Sequence, residues 1–495
     1  MFAFDLPVLS LVIWSPIFFG VLVLLTAEKS AVFFTRLLAL AGSLICFLIS
    51  VLILVFFDSK KAGMQFTESV LWIERFNIFY SLGIDGISLW FIVLCAFILC
   101  TVVIMAKPSD KGLFSQYLGA FMILCGLAIG AFCATDGLLF YVFFEATLIP
   151  MFIIIGIWGS ERRIFAAFKF FLYSLFGSLF MLVAIIWLYF QSNSFDIFAW
   201  YNLQITFGAQ IFLFVGLLLA FGIKLPMWPV HSWLPDAHVE APTEGSVVLA
   251  ALLLKLGGYG FIRFLLPIVP DASRYLSVYM IALSLVAIVF TGFIAITQKD
   301  MKRLIAYSSV VHMGFVTMGF FLFQHLTVTG ALVQMLSHGI LSAALFLCIG
   351  ILYDRANSLQ IADFGGVAKT MPRFALFFVL FALGNCALPG TSGFVGEFMV
   401  IAGMVKAHFW AGLIAALALV LTAAYSLWLV RTVVFGPVRN DVVAGLKDID
   451  ARELFVLGVF ALLVVAAGLY PAWLIEPMQA SVTGLLDLAS QSKIP

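Results

Sequence analysis

Four charged residues stand inside long apolar runs of this 495-residue chain: Glu145 in FYVFFEATLIP, Lys224 in FGIKLPMWP, Lys255 in ALLLKLGGYG and Glu397 in GFVGEF. A charged side chain at mid-bilayer costs about 2.5–3.5 kcal/mol on insertion scales, so such groups are functional candidates by default. His312 and His338 add two imidazoles in similar runs, and His231 follows Lys224 in PVHSW. Together these types can carry protons. Lysine suits the task because its proton affinity shifts readily on burial, whereas a guanidinium stays charged. Glu145 and Lys224 read as a buried ion pair alone would explain less. Desolvation offsets much of the Coulomb gain of such a pair, and Lys255 and Glu397 would be left without an obvious opposite charge. Lys169, a few residues into its run, is able to snorkel to the interface.

Two of the charges sit beside expected breaks in their helices. Residues 221–245, FGIKLPMWPVHSWLPDAHVEAPTEG, place Pro226, Pro229 and Pro235 just after Lys224, and each proline removes a backbone donor and frees an upstream carbonyl. Residues 384–398, GNCALPGTSGFVGEF, set Pro389, Gly390 and Gly393 ahead of Glu397. Irregular backbone at membrane depth survives where it is buried in protein or lines a watery cavity, and paired discontinuous helices mark transport sites. Both breaks point to an internal hydrated path.

The surrounding sequence makes lipid the solvent. Hydrophobic residues make up 64% and charged residues 10%, against roughly 45–50% and 25% in soluble domains. Apolar segments long enough to span about 30 Å of hydrocarbon fall at 6–26, 31–57, 83–106, 113–133, 137–157, 165–190, 207–233, 244–267, 275–297, 303–323, 327–352, 374–404, 409–435 and 453–475. The fold expected is all-α, a polytopic membrane protein of about 14 transmembrane helices, with spans seven and twelve broken. The amino terminus lacks the basic region and small-residue cleavage site of a signal peptide and reads as the first span. The stretches 58–82, 353–373 and 436–452 read as loops.

A net charge of +1 offers no basic face for nucleic acid. Lysines and arginines concentrate in alternate loops, at Lys29, Lys107, Lys111, Arg162, Arg163, Lys299, Lys302 and Arg303 among others. The positive-inside rule then puts both termini on the outer face, which is the periplasmic side if the membrane is the bacterial inner membrane expected here, with the mitochondrial inner membrane as the alternative. Seven cysteines lie in apolar runs without a CxxC pair, as small buried hydrophobes rather than metal ligands.

Spans four to eight and nine to thirteen start about 160 residues apart, and Glu145 with His312, Lys169 with His338 and Lys224 with Glu397 recur at a similar offset. An odd number of helices per unit inverts the second unit across the membrane. The expected organisation is therefore an N-terminal three-helix segment (1–112), two inverted five-helix repeats (113–270 and 271–436), and a C-terminal helix and tail (437–495).

At FYVFFEATLIPMFIIIGIWG (140–159), KLPMWPVHSWLPDAHVEAPTEGSVVLA (224–250), KDMKRLIAYSSVVHMG (299–314) and QMLSHG (334–339) the sequence resembles the antiporter-like subunits of respiratory complex I. That family is shared with Mrp-type cation/proton antiporters and membrane-bound hydrogenases, and the resemblance covers nearly the whole chain. Within it, Glu397 marks the branch whose twelfth helix carries glutamate rather than lysine. The roughly twenty residues after span fourteen are too few for the long lateral helix of another branch. The resemblance implies roles. Glu145 and Lys224 would form a coupled pair, Lys255 the central carrier and Glu397 the terminal carrier toward the outer side, with His231, His312 and His338 linking them through ordered water. It also implies lateral contact with neighbouring antiporter-like subunits on both sides.

The chain shows no Gly-x-Gly-x-x-Gly nicotinamide fingerprint after a strand, no cluster motif and no flavin-binding domain. No cofactor is expected in it, and NADH, FMN, iron–sulfur clusters and quinone are expected in partner subunits. Two other readings stay open. One is a subunit of an Mrp-type antiporter with no redox partner. The other is a b-type haem carrier with His312 and His338 as axial ligands.

Overall fold

The computed structural model describes residues 6–26, 32–108 and 113–495. Lys29 and Lys111 of the orientation argument, and the first five residues of the amino-terminal segment, lie outside the described residues. Without water in the hydrocarbon layer every backbone group must bond within its own segment, so the apolar runs become helices. Among the described residues 12 helices are long and apolar enough to cross a membrane, and Val8–Leu24 and Pro372–Asn385 are shorter apolar helices. The chain forms two compact units. The first comprises Met1–Leu225, Leu252–Leu276 and Glu476–Pro495, and the second Pro226–Ala251 and Ser277–Ile475.

In the first unit, Val8–Leu24 packs along Phe114–Cys133. Close approach is possible because Gly20 and Gly119 meet there. A Cβ on either would stand 3.1 or 3.0 Å from the other's carbonyl oxygen, the small-residue contact that substitutes for hydrophobic drive between helices in lipid.

Residues 58–82 are not simply a loop. Gln65–Ile73 and Ile78–Ile84 form an antiparallel hairpin, consistent with the β-branched and aromatic residues of QFTESVLWI. The hairpin caps a helix. Pro7 has no side chain to cap Val8–Leu24, and Glu68 instead accepts from Leu9 N at 2.7 Å and Ser10 N at 3.1 Å, meeting otherwise orphaned donors. Asp85 caps Gly86–Met105 through Ile87 N and Ser88 N and also pairs with Arg263 at 2.7 Å. The residues after span fourteen are likewise more than a tail, since Ala472–Ser490 is helical and Ser481 Oγ accepts from Gly86 N.

In the second unit the helix His325–Ala356, buried throughout Thr327–Leu352, is the centre. Met301–Phe321 and Ser392–Ala407 pack on it, and Ser277–Ile296 packs on the outer side of Met301–Phe321, joined by Ser284 Oγ and Thr317 Oγ1 at 2.6 Å. Arg355 at the end of the central helix forks onto Glu453 at 3.1 and 2.6 Å, tying it to Ala451–Leu469.

The breaks depart in part from expectation. The seventh span is shorter than 207–233, because Phe207–Lys224 ends at Lys224 and the prolines after it allow only the short helix Trp233–Glu240. The twelfth divides into Pro372–Asn385 and Ser392–Ala407. Two further irregularities were not foreseen. The fifth span splits at Thr147 into Gly137–Ala146 and Leu148–Trp158, since Pro150 cannot donate to the Ala146 carbonyl. The eighth widens into π-helical turns at Leu249–Leu253 and Phe261–Leu265, on either side of Lys255.

Candidate proton-carrying sites

Each unit holds its own cluster of ionisable groups. In the first, the split at Thr147 sets Glu145 in the last turn before the break. Thr147 turns its hydroxyl back onto the Phe144 carbonyl at 2.7 Å. Lys224, the last residue of its helix, is buried and donates from Nζ to Thr147 Oγ1 at 3.4 Å. Its ammonium also lies over the Phe144 ring at 4.8 Å and the Phe170 ring at 5.9 Å, an arrangement that favours a cation electrostatically. Glu145 and Lys224 interact electrostatically, and Ser178 lies beside the carboxylate. Among the described residues no ion pair at contact distance joins them. Glu145 itself is only partly buried, although its Oε2 atom is buried without a hydrogen bond.

Lys255 is fully buried. Its helix runs hard against the one that ends in Lys224. A Cβ on Gly257 would meet Leu225 N at 2.7 Å and Phe221 O at 2.8 Å, and one on Gly260 would strike the Phe221 ring. Single π-type turns occur preferentially at functional sites, and the turn Leu249–Leu253 ends two residues before the lysine. Lys169 is half-buried, with its Nζ 5.8 Å from the Phe165 ring.

The second cluster is more tightly bonded. His312 Nδ1 lies 2.5 Å from Glu397 Oε1, and Gln334 Nε2 donates to the same oxygen at 2.9 Å. The opposite ring nitrogen, Nε2, faces Asn385 Oδ1 at 3.1 Å and Ser308 Oγ at 3.2 Å. Asn385 Nδ2 donates to Ser308 Oγ at 3.0 Å and Ser426 Oγ at 3.2 Å, and Tyr425 OH donates to Ser308 Oγ at 3.0 Å. His338 joins through its ring, 5.6 Å from that of His312 between centroids.

Local sequence explains this convergence. Asn385 is the last residue before the break, and Glu397 is in the second turn after it. Gly396 lets the Glu397 helix reach the central helix, since a Cβ there would stand 2.6 Å from Gln334 N.

Of the seven candidates, then, the fold brings His312, His338 and Glu397 together in one unit and Glu145, Lys224 and Lys255 into neighbouring helices of the other. His231 meets Tyr307, with ring centroids 6.5 Å apart. Sequence reasoning missed Gln334, Asn385, Ser308, Tyr425 and Thr147. The only signal was a neutral polar side chain in an apolar span, which is common and unspecific. The haem reading loses its ligand, because both ring nitrogens of His312 are engaged in hydrogen bonds.

The NADH:quinone oxidoreductase/Mrp antiporter transmembrane family matches residues 134–422. NADH-quinone oxidoreductase subunit M of Rhodobacter capsulatus is 46% identical over 464 residues, which is 91% of this chain and 90% of that protein. NADH-ubiquinone oxidoreductase chain 4 of Arabidopsis thaliana is 44% identical over 94% of this chain and 95% of its own. Among solved structures, a chain of respiratory complex I from Thermus thermophilus superposes with a TM-score of 0.89 at 28% identity, covering 98% of this chain and 100% of that one. A chain of the Mrp complex from a Dietzia species shares the fold, with a TM-score of 0.86 at 19% identity over 99% of each. Through these likenesses, and with acids, amines and imidazoles gathered at membrane depth, the chain belongs to the NADH:quinone oxidoreductase/Mrp antiporter family, in its proton-translocating subunit M and chain 4 branch.

Proposed function

We propose that protons pass through this subunit by way of Glu145, Lys224, Lys255 and Glu397, with His312 and His338 as relays and His231 as a lesser one. The observation that carries the proposal is the 2.5 Å contact between His312 and Glu397 inside a fully buried hydrogen-bonded network. An acid and an imidazole so placed exchange a proton without either having to diffuse or be rehydrated.

The driving requirement is modest. Moving one charge against about 150 mV costs roughly 3.5 kcal/mol, equivalent to a swing in proton affinity of about 2.5 pH units. Burial disfavours the ammonium form of a lysine and a nearby carboxylate favours it, each by an amount of that order. Lys224 meets Thr147 while Glu145 stays within electrostatic reach. A small movement at the Thr147 break therefore makes or breaks the Glu145–Lys224 contact. The proton displaced passes to Lys255 and finally to Glu397, which releases it on the outer side.

Electrons and energy come from partner subunits that hold NADH, FMN, iron–sulfur clusters and quinone. Support for lateral partners comes from Glu145, which is partly exposed on a face that also presents Val142, Ile149 and Ile153. The reading places the subunit in a bacterial inner membrane with both termini outside, between other antiporter-like subunits. The organisation into two inverted five-helix repeats belongs to the same proposal and is supported by the broken helices that carry Lys224 and Glu397. An antiporter without a redox partner has behind it the family match and a shared fold, but not the 46% and 44% identity of the subunit M and chain 4 relatives.

The test uses the assembled complex in sealed vesicles, comparing NADH oxidation with proton pumping in Glu145→Gln, Lys224→Ala and Glu397→Gln. Pumping should be lost or fall at least tenfold in each. Normal pumping in all three would remove the mechanism.

A further inference from the structure

Asn385 plays no part in the proton path proposed above, yet it touches His312, an imidazole that does. We infer that Asn385 is a positioning residue that keeps a proton on Nε2 of His312, so that the proton exchanged in this unit is the one between His312 Nδ1 and Glu397. The inference rests on the reading of His312 and Glu397 as proton-translocating groups.

The argument is a count of donors and acceptors. The Asn385 amide nitrogen has two hydrogens and two hydroxyl oxygens to receive them, Ser308 Oγ at 3.0 Å and Ser426 Oγ at 3.2 Å. Ser308 Oγ also accepts from Tyr425 OH at 3.0 Å. Its own hydrogen then points at Asn385 Oδ1, 3.3 Å away. The amide carbonyl is thus the end that meets the ring, at 3.1 Å from Nε2. A carbonyl accepts and cannot donate, so in this orientation Nε2 is the nitrogen that carries hydrogen. With the carbonyl on the ring, both amide N–H groups meet hydroxyl oxygens at 3.0 and 3.2 Å, whereas the turned amide would place them 3.1 Å from the ring nitrogen and 3.3 Å from Ser308 Oγ.

With Nε2 protonated, only two states remain for the other nitrogen. Either Nδ1 also holds a proton and faces a Glu397 carboxylate, or Nδ1 is bare and accepts from a protonated Glu397. They differ by one proton moved along a 2.5 Å line, from nitrogen to oxygen, with no net change in charge. Gln334 Nε2 donates to the same Oε1 in either state. Without the Asn385 carbonyl, Nε2 is free to give up its proton toward Ser308, and the ring no longer has a defined direction of exchange.

Placement makes this tie specific. Asn385 is the last residue of Pro372–Asn385, and the chain turns through Ala387 and Gly390, both at positive φ, before Ser392–Ala407 begins. The break thus holds both partners of the ring, the carbonyl before it and the carboxylate after it. The titratable groups around His312 are Glu397 on Ser392–Ala407, His338 on the central helix, Tyr425 on Phe409–Val433 through Ser308, and Cys386 at the break. His231 meets Tyr307 on the helix of His312 itself.

The experiment measures proton pumping and NADH oxidation against pH in vesicles holding the intact complex. Asn385→Leu removes the acceptor from Nε2, and the pH of half-maximal pumping should move down by about one unit. Asn385→Asp replaces the carbonyl with a charged acceptor and should move it up by a similar amount. A merely structural role would lower pumping in both variants and leave the pH midpoint where it was. Ser426→Ala, a small change that frees one side of the amide, should move the midpoint down by a smaller step, and it carries the test if Asn385→Leu does not assemble. Equal midpoints in Asn385→Asp, Ser426→Ala and the parent, or shifts of the same sign in both Asn385 variants, overturn the inference. Glu397→Gln separates the two levels. If it still pumps, the underlying reading fails, and if it is inactive while the midpoints stay put, only the role of Asn385 fails.

Discussion

Lys224 Nζ lies 3.4 Å from Thr147 Oγ1, so the amine at the end of its helix first meets a hydroxyl at the break in the Glu145 helix, and not the Glu145 carboxylate. The contact is long for a hydrogen bond and leaves the ammonium over two aromatic rings. Such a partner holds the amine in place without fixing its protonation state.

Thr147→Val keeps the shape of the break and removes that hydroxyl. Losing one hydrogen bond of about 0.5–1.5 kcal/mol should lower proton pumping roughly threefold to tenfold while the complex still assembles. The dye-quench rate divided by the NADH oxidation rate in sealed vesicles measures this. An unchanged ratio would show that the hydroxyl takes no part.

Gly257→Ala tests the closeness of the two lysine-bearing helices. The new Cβ would fall 2.7 Å from Leu225 N and 2.8 Å from Phe221 O, both backbone atoms that cannot swing away. Overpacking of this kind costs about 1–3 kcal/mol, and the helix of Lys255 should be displaced from that of Lys224. The expected result is a pumping deficit of about tenfold or a reduced yield of complex, read from activity per assembled complex on native gels. Parental pumping and yield together would mean that the contact is looser than drawn.

The Arg263–Asp85 pair, at 2.7 Å and buried on both sides, should matter far more than Arg274–Asp271, at 3.8 Å with a half-exposed arginine. Removing one partner of a buried pair costs about 3–5 kcal/mol, whereas an exposed pair is worth at most about 1 kcal/mol. Arg263→Gln should therefore lower the temperature at which the complex comes apart by many degrees, and Arg274→Gln by little. Thermal shift on the detergent-solubilised complex decides it, and equal shifts would refute the ranking.

The C-terminal tail offers a pH-dependent contact outside the spans. Burial lowers the Lys493 ammonium from 10.5 to about 8, against the opposing pull of Asp271, and Nζ donates to the carbonyls of Trp200 and Ile268 at 3.1 and 3.3 Å. Between those two pH values the docked tail holds fewer protons than the released one, so docking strengthens as pH rises through the window and is weakest below about pH 8. Asp271 works in the acid range. Burial raises its carboxyl, but hydrogen bonds from Gln210 and the Lys493 backbone outweigh that and hold it below 3.8. Its contribution is complete above that value and is lost as pH falls through the lowered one. Hydrogen exchange at Ile205 N, which donates to Lys493 O at 2.8 Å, should slow between pH 8 and 10 after correction for the intrinsic rate. Lys493→Met should abolish that trend, and a trend that survives the substitution would assign it elsewhere.

Much of this protein is legible in its sequence, because the bilayer is a simple solvent. An apolar run must be a helix, a charge inside it must have a use, and a proline after Lys224 or Asn385 must interrupt the backbone whatever the neighbours do. Glu145, Lys224, Lys255 and Glu397 stand out for that reason alone. The hairpin of residues 65–84 was overlooked because it lies outside the apolar runs, where that logic gives no guidance, and its alternation is short.

What only the tertiary structure decided is which neutral side chains complete each site. Gln334, Asn385, Ser308, Tyr425 and Thr147 come from separate helices, and a serine or asparagine in an apolar run costs too little to announce itself. Their meaning is a matter of distance and direction, as when Gly396 admits one helix to another and Asn385 turns a carbonyl toward His312. Lipid exacts a large energy for a charge and a small one for a hydroxyl or amide, so the sequence displays the first and the fold alone reveals the second.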